Sequence, residues 1–208
     1  MPGTVVLVRR THRAAAIMQN RGPHRINPVD LRPGVVQTMN IRRICPGEGG
    51  RLRAIRLTAL RDAPEAFGET VEEADKLSDD EYEARARAGA EGRTGVFLVA
   101  ETDRHEWVGM VGGLDVGRRL ELVSMWVAPT HRRRGLARSL IRALLDWASA
   151  RGVPDVHLFV GDVNEPAKAL YSSMGFVPSG RTKPLVWRAS VREIEMVATL
   201  GPGRGKTS

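Results

Sequence analysis

Three runs of apolar and β-branched residues, Gly95 to Glu101, Trp107 to Leu114 and Leu120 to Val127, are separated by short polar turns at Asp103-Arg104-His105 and Gly117-Arg118-Arg119. That alternation predicts an antiparallel meander of three strands. Upstream, Ile41 to Cys45 reads as a short strand, and Gly47 to Gly50 leads into a helix with Leu52, Ile55, Ala59 and Leu60 on one face. After a loop around Ala66-Phe67-Gly68, the capping-box sequence Ser78-Asp79-Asp80-Glu81 places a second helix from about Asp79 to Ala90. Downstream of Gly135 a helix turns Ala137, Leu140, Ile141, Leu144, Leu145 and Ala148 inward and stops near Arg151-Gly152. A strand from Val156 to Val160 follows. Asn164 then caps a helix with Pro166 in its first turn; Ala167, Leu170, Tyr171 and Met174 share a face, and Gly175 ends it. Two strands close the pattern, about Phe176 to Val177 with Leu185 to Arg188, and Glu193 to Thr199. The order βααβββαβαββ, without internal repeat, predicts a single α/β (α+β) domain over residues 39–199.

The flanks read differently. Residues 1–38 mix Arg with Pro23, Pro28 and Pro33, contain Asp30 as the one acid and keep no period, so a mobile basic leader is expected, with Met39 as an alternative start. Residues 200–208 read as a flexible basic tail; Leu200 stands where a phosphate-binding Walker loop would need its first glycine.

Charge changes little in this picture. The net +8 is concentrated outside the body: residues 1–43 hold eight Arg, and residues 44–199 carry 22 basic against 23 acidic side chains. A nucleic-acid-binding body is therefore not expected. No apolar run of 18 residues and no charged n-region followed by an apolar h-region occurs, so neither a membrane span nor a secretory signal is read and a cytoplasmic protein is expected. The single Cys45 forms no intramolecular disulfide and is read as a buried or idle thiol. His12, His24, His105, His131 and His157 show no metal-ligand spacing with it, so no metal is expected.

The richest stretch is Val127-Ala128-Pro129-Thr130-His131-Arg132-Arg133-Arg134-Gly135-Leu136-Ala137-Arg138, an apolar strand passing through a basic, Gly-containing loop into a helix. Backbone N–H groups in a first helical turn lack intrahelical partners, and the helix dipole adds positive potential there, so such a junction can hold a phosphate. Taken alone, it could equally be a solvated arginine run.

Arg132-x-x-Gly135-x-Ala137 resembles the Gln/Arg-x-x-Gly-x-Gly/Ala signature of the GNAT acetyltransferase superfamily. A second signature follows in order: the strand Val156 to Val160, then Asn164, Ala167, Leu170-Tyr171 and Gly175-Phe176. The resemblance covers about residues 39–199 and implies a mixed, mostly antiparallel sheet of six to seven strands flanked by helices. It implies that backbone groups of Val127, Ala128 and Pro129 pair with the pantetheine arm of acetyl-CoA. The amides of Arg132, Arg133, Arg134, Gly135, Leu136, Ala137 and Arg138 would take the pyrophosphate, and Asn164 and Ala167 would line the far side. Tyr171 occupies the position of the family's usual general acid, and a phenol with pKa near 10 can return a proton to a departing thiolate of pKa near 8.5.

A base is also needed, because an amine acceptor is mostly protonated at neutral pH. Glu121, six residues before Val127, matches the catalytic glutamate of the histone-acetylating branch, the alternative being a water chain such as many members use; Glu101 on a neighbouring strand ranks behind Glu121. A strand-four N–H near Val127 would hold the oxyanion. Trp126 and Trp107 could wall the acceptor site or simply pack, and Trp147 and Trp187 read as packing residues. The acids Glu72, Glu73, Asp75, Asp79, Asp80 and Glu81 suggest an acceptor side suited to a cationic amine, or equally a solvated helix. The expected function is acetyl-CoA-dependent N-acetyl transfer to a primary amine of a small molecule or a peptide, directly within a ternary complex, by a monomer or homodimer. The alternative is a GNAT-fold module that binds acyl-CoA without turnover.

Overall fold

The computed structural model describes residues 39–117 and 119–201, so the expected leader at 1–38 and most of the expected tail lie outside the described residues. Seven strands form one sheet in the order β1-β2-β3-β4-β5-β7-β6: β1 (Asn40–Arg43), β2 (Gly95–Glu101), β3 (Trp107–Asp115), β4 (Leu120–Val127), β5 (Asp155–Gly161), β6 (Val177–Leu185) and β7 (Arg188–Thr199). Every neighbouring pair is antiparallel except β4 with β5. The helices are α1 (Gly49–Asp62), α2 (Val71–Asp75), α3 (Asp79–Glu91), α4 (Leu136–Ala150) and α5 (Glu165–Ser172).

Period explains the layers. Helix α4 buries Leu136, Leu140, Ile141, Leu144 and Ala148 at helical spacing, and α5 adds Tyr171; they share one core with Val96, Leu98, Leu122, Leu158 and Val160 of the sheet. On the opposite face α1 and α3 bury Leu52, Ile55, Leu60, Tyr82 and Ala86 against Met110 and Trp126. Helix α1 lacks a side-chain cap of its own. The Glu83 carboxylate of α3 substitutes, accepting from Gly47 N at 2.7 Å and Gly49 N at 3.1 Å. A Cβ on Gly49 would stand 2.6 Å from Glu83 N, so glycine is what lets the two helices approach.

Several expectations are revised. The predicted loop before Ser78 contains α2, five residues nucleated by a capping box in which Thr70 accepts from Glu73 N and Glu73 accepts from Thr70 N. The interrupted strand after Gly175 is continuous as β6, because an irregular register between Pro178 and Thr182 absorbs the Pro-Ser-Gly segment. Leu200, expected in the tail, is still tied in by its N–H to Pro154 O at 2.7 Å. Cys45 is exposed rather than buried.

Glu101 belongs to the frame. It accepts from Arg42 Nε at 2.8 Å and Arg51 Nη2 at 2.7 Å, and Arg42 also holds Glu48. The Arg42 hydrogen bond, with help from Arg51 and against burial, holds the Glu101 carboxyl down to about 2. Arg51 stacks 4.3 Å above the Trp107 ring, so Trp107 belongs to this corner too. Among the described residues no helix is long and apolar enough to cross a membrane, and no group of three or more His, Cys, Asp or Glu is arranged to hold a metal ion.

Candidate active site

The parallel strands β4 and β5 pair only at Leu120 with Val156 and Glu121 with His157. Beyond those two rungs they separate, and a cavity of about 1040 Å³ lies along the opening. A bulge in β4 accentuates the parting: Met110 faces Trp126 and Gly112 faces Val123, leaving Ser124 and Met125 opposite Val111. Ser124 takes φ +55°, a strained value for a side-chain-bearing residue. The Arg56 guanidinium of α1 holds it there, donating from Nη1 to Ser124 Oγ at 2.8 Å.

One wall of the cavity comes from the end of β4 and its loop. Gly135, at φ +81°, caps α4 with no side-chain hydrogen bond, so the first-turn amides of Leu136, Ala137 and Arg138 face an open approach; nothing lies within 4 Å of where a Gly135 Cβ would sit. Val127, His131, Arg132, Arg133, Gly135, Leu136, Ala137 and Arg138 line the cavity. Burial, then the neighbouring Arg134 charge, pushes the His131 imidazole below its ordinary range. The Arg132 side chain is engaged at the cavity wall: its Nε donates to Val127 O at 2.9 Å and its Nη2 to Asp62 Oδ2, which also accepts from Trp126 Nε1 at 2.8 Å. Helix α1 is thereby tied to the loop.

Across the opening stand Asn164, Ala167 and Tyr171 of α5. Asn164 Oδ1 accepts from Ala167 N at 3.2 Å and starts the helix. Tyr171 is nearly fully buried, with Phe176 edge-on at 5.7 Å, and burial pushes its phenol well above the ordinary tyrosine range, so it stays protonated.

The remaining wall is more highly charged. Arg56 stacks 4.7 Å over Phe67 and pairs with Glu69 at 2.9 Å; Arg85 reaches Glu69 at 3.6 Å. The β6–β7 hairpin closes over this corner, with Trp187 Nε1 donating to Phe67 O at 2.8 Å and Arg188 pairing with Glu65. Deeper along the sheet, Glu121, Phe159, Lys183 and Glu193 line the same cavity.

Several sequence candidates are therefore brought together: Glu121, Val127, Arg132, Arg133, Gly135, Leu136, Ala137, Arg138, Asn164, Ala167 and Tyr171, with Trp126 beside them. Others have different work. Ala128 N donates to Val108 O and Ala128 O accepts from His131 N, so both backbone groups are used by the sheet and turn. Pro129 O accepts from Arg132 N, so the Arg132 amide is already used, whereas the first-turn amides of α4 have no side-chain cap. Ala128, Pro129 and Arg134 do not line the cavity. Nor do the acids expected to face an acceptor: Glu73 and Glu81 complete capping boxes, Asp75 and Asp79 pair with Arg53, and Glu72 and Asp80 are exposed. Trp187, read as packing, is a hydrogen-bond donor of the hairpin closure. Arg56, Glu69, Arg85, Lys183 and Glu193 carry no local motif, and only the folded topology assembles them.

Against known proteins, residues 57–176, more than half of the chain, match the family model described as "Acetyltransferase (GNAT) family". Human N-acetyltransferase 8 is 40% identical over 101 residues, covering 46% of this chain and 44% of that protein. Rat N-acetyltransferase 8 is 37% identical over 112 residues, half of each. The chain thus spans about half the length of the curated relatives it matches. Among solved structures, Vibrio cholerae spermidine N-acetyltransferase in complex with CoA and spermine aligns at TM-score 0.65 and 21% identity over 80% of this chain and 98% of that one. The PaiA N-acetyltransferase of Thermoplasma acidophilum in complex with coenzyme A aligns at 0.65 and 14% over 78% and 99%. These structural likenesses establish the shared fold.

Proposed function

Because the chain belongs to the GNAT acetyltransferase family, we propose that it transfers an acetyl group from acetyl-CoA to a primary amine, the two substrates meeting between β4 and β5. The observation that carries this reading is the uncapped start of α4 beside Gly135, opening onto the same cavity as the buried phenol of Tyr171. Acetyl-CoA supplies the acyl group as a thioester, whose carbonyl is attacked by the amine with release of a thiolate.

The chain's own groups divide the remaining work. The amides of Leu136, Ala137 and Arg138, in the positive field of the α4 N-terminus, hold the pyrophosphate without a dedicated side chain. The unpaired edges of β4 and β5 beyond Glu121 and His157 offer backbone donors and acceptors to an extended, amide-bearing arm. Asn164 and Ala167 bound the far side. The Tyr171 hydroxyl, protonated across the physiological range, donates to the departing sulfur. A carboxylate on the cavity wall takes the proton that the ammonium must lose.

The acceptor enters from the side of α1, α3 and the β6–β7 hairpin. There Arg56 and Arg85 stand among Glu65 and Glu69, a mixed-charge lining rather than an acidic one. This favours an amine that also carries polar or anionic groups over a simple polycation.

The test is an assay of free CoA release with putrescine, phenethylamine, alanine and a lysine-containing peptide as acceptors. At least one should be acetylated, and Tyr171→Phe should lower kcat about 10²-fold while leaving acetyl-CoA affinity within twofold. Release of CoA from none of the four, with CoA bound normally, would instead favour a module that holds acyl-CoA without turnover.

A further inference from the structure

Two carboxylates from different strands line the cavity. Glu121 projects from β4 where β4 and β5 still pair, and Glu193 comes from β7, directly opposite Gly161 of β5 and Lys183 of β6. The Glu193 side chain is only 12% exposed, and its nearest cation, Lys183 Nζ, stays 3.8 Å from Oε2. Lys183 is itself engaged, with Nζ 3.6 Å above the Phe159 ring. At this register β5 contributes Gly161, which has no side chain to offer. The other ionisable groups on β5 and β7 nearby, His157 and Glu195, bond each other at 3.1 Å, and Arg119 and Arg181 lie toward Glu195 rather than Glu193. Arg56, Glu69 and Arg85 also line the cavity, engaged with one another, Ser124 and Phe67.

We propose that Glu193, nearly buried in the cavity wall, is the group that accepts the proton from the acceptor ammonium, with Glu121 of the same cavity as a positioning residue. The inference rests on the acetyltransferase reading above. Burial, first, and the Glu121 charge both push the Glu193 carboxyl above the ordinary carboxylate range, while Lys183 pulls it back only in part. A carboxylate made more basic in this way matches an ammonium donor better than an ordinary one. Two carboxylates in one site thus take different roles through their surroundings.

The step balances. One ammonium proton passes to Glu193, the freed nitrogen lone pair forms the C–N bond as the C–S bond breaks, and the thiolate takes the Tyr171 proton. The second nitrogen proton leaves to solvent, from which Tyr171 is reprotonated, and Glu193 returns its proton to solvent, for a net release of one proton per turnover.

The experiment uses the full chain, acetyl-CoA and whichever of the four amines above the wild type turns over fastest. Wild-type kcat/KM should rise with pH through a value above the ordinary carboxylate range. Glu193→Gln should remove that limb and lower kcat about 10²-fold, with CoA binding by calorimetry unchanged. Glu121→Gln should keep the limb, move it to lower pH and reduce kcat less than tenfold. An intact limb and a kcat within threefold in Glu193→Gln overturn the proposal, as does a change confined to acceptor KM. Should Glu193→Gln not fold, Glu121→Gln decides: an unmoved limb overturns the assignment. If no amine is turned over, the acetyltransferase reading fails instead. A carbon-detected NMR titration of the resting protein then still reads Glu193, and an ordinary carboxylate midpoint there overturns this inference independently.

Discussion

The two walls of the cavity are built from different materials. The wall formed by β4, its loop and the starts of α4 and α5 is mostly main chain: a left-handed Gly135, uncapped amides, parted strand edges and small residues such as Ala137 and Ala167. The wall formed by α1, α3 and the β6–β7 hairpin is long side chains holding one another, Arg56 with Glu69, Ser124 and Phe67, and Trp187 with Phe67. Main-chain groups suit what many substrates share, which in the proposed function is the nucleotide-bearing donor. Side chains anchored to each other can be exchanged one at a time without disturbing the sheet, so in the proposed function this wall is where acceptor choice would reside. The bond from Asp62 to both Trp126 and Arg132 joins the two walls and keeps them in fixed relation.

That division predicts that perturbations separate cleanly in steady-state kinetics. The largest effect is expected from Gly135→Val. Its φ of +81° is hostile to a β-branched residue, and the strain, about 1–2 kcal/mol, is relieved only by turning the loop away. Acetyl-CoA KM should rise about 10²-fold because the amides are misplaced, while acceptor KM at saturating donor stays the same; a matching rise in both would erase the distinction. Arg56→Met should do the reverse. It removes the bond to Ser124 and the partner of Glu69 but keeps the aliphatic stem over Phe67, so acceptor KM should rise about tenfold, in line with losing a charge-assisted hydrogen bond, and CoA affinity measured by calorimetry should not move. The smallest effect belongs to Trp187→Phe, which deletes one hydrogen bond to Phe67 O worth about 1 kcal/mol. Acceptor KM should change about fivefold, and a change in CoA affinity instead would show that the hairpin serves the donor.

The same contrast explains what could be read from the chain. Features that depend on neighbours in sequence were legible: β2 and β4 begin and end where the apolar runs do, Ser78 and Glu81 form the expected capping box, and Asn164 caps α5. The glycine turn into α4 was legible because Gly135 and Leu136 are adjacent residues. Helix α2 escaped because five residues show no helical period. The acids of α2 and α3 misled because composition does not say which way a side chain points; caps and Arg53 claim four of them. Glu193 and Lys183 could not be tied to Glu121 in advance, since β7 sits between β5 and β6, an inversion of chain order that brings residues some 70 positions apart into one pocket.

The parted strands have one more consequence, for solubility. An unpaired strand edge normally invites another polypeptide to add to it, and proteins guard outer edges with charge, bulges or proline. Here two such edges, those of β4 and β5, lie in the middle of a sheet. The bulge at Ser124 interrupts one of them, β3 flanks the far side of β4, and β7 flanks the far side of β5. A neighbour adding a strand there would have to enter between strands already flanked on their outer sides, so the hazard of a reactive edge is contained by placing it inside the sheet.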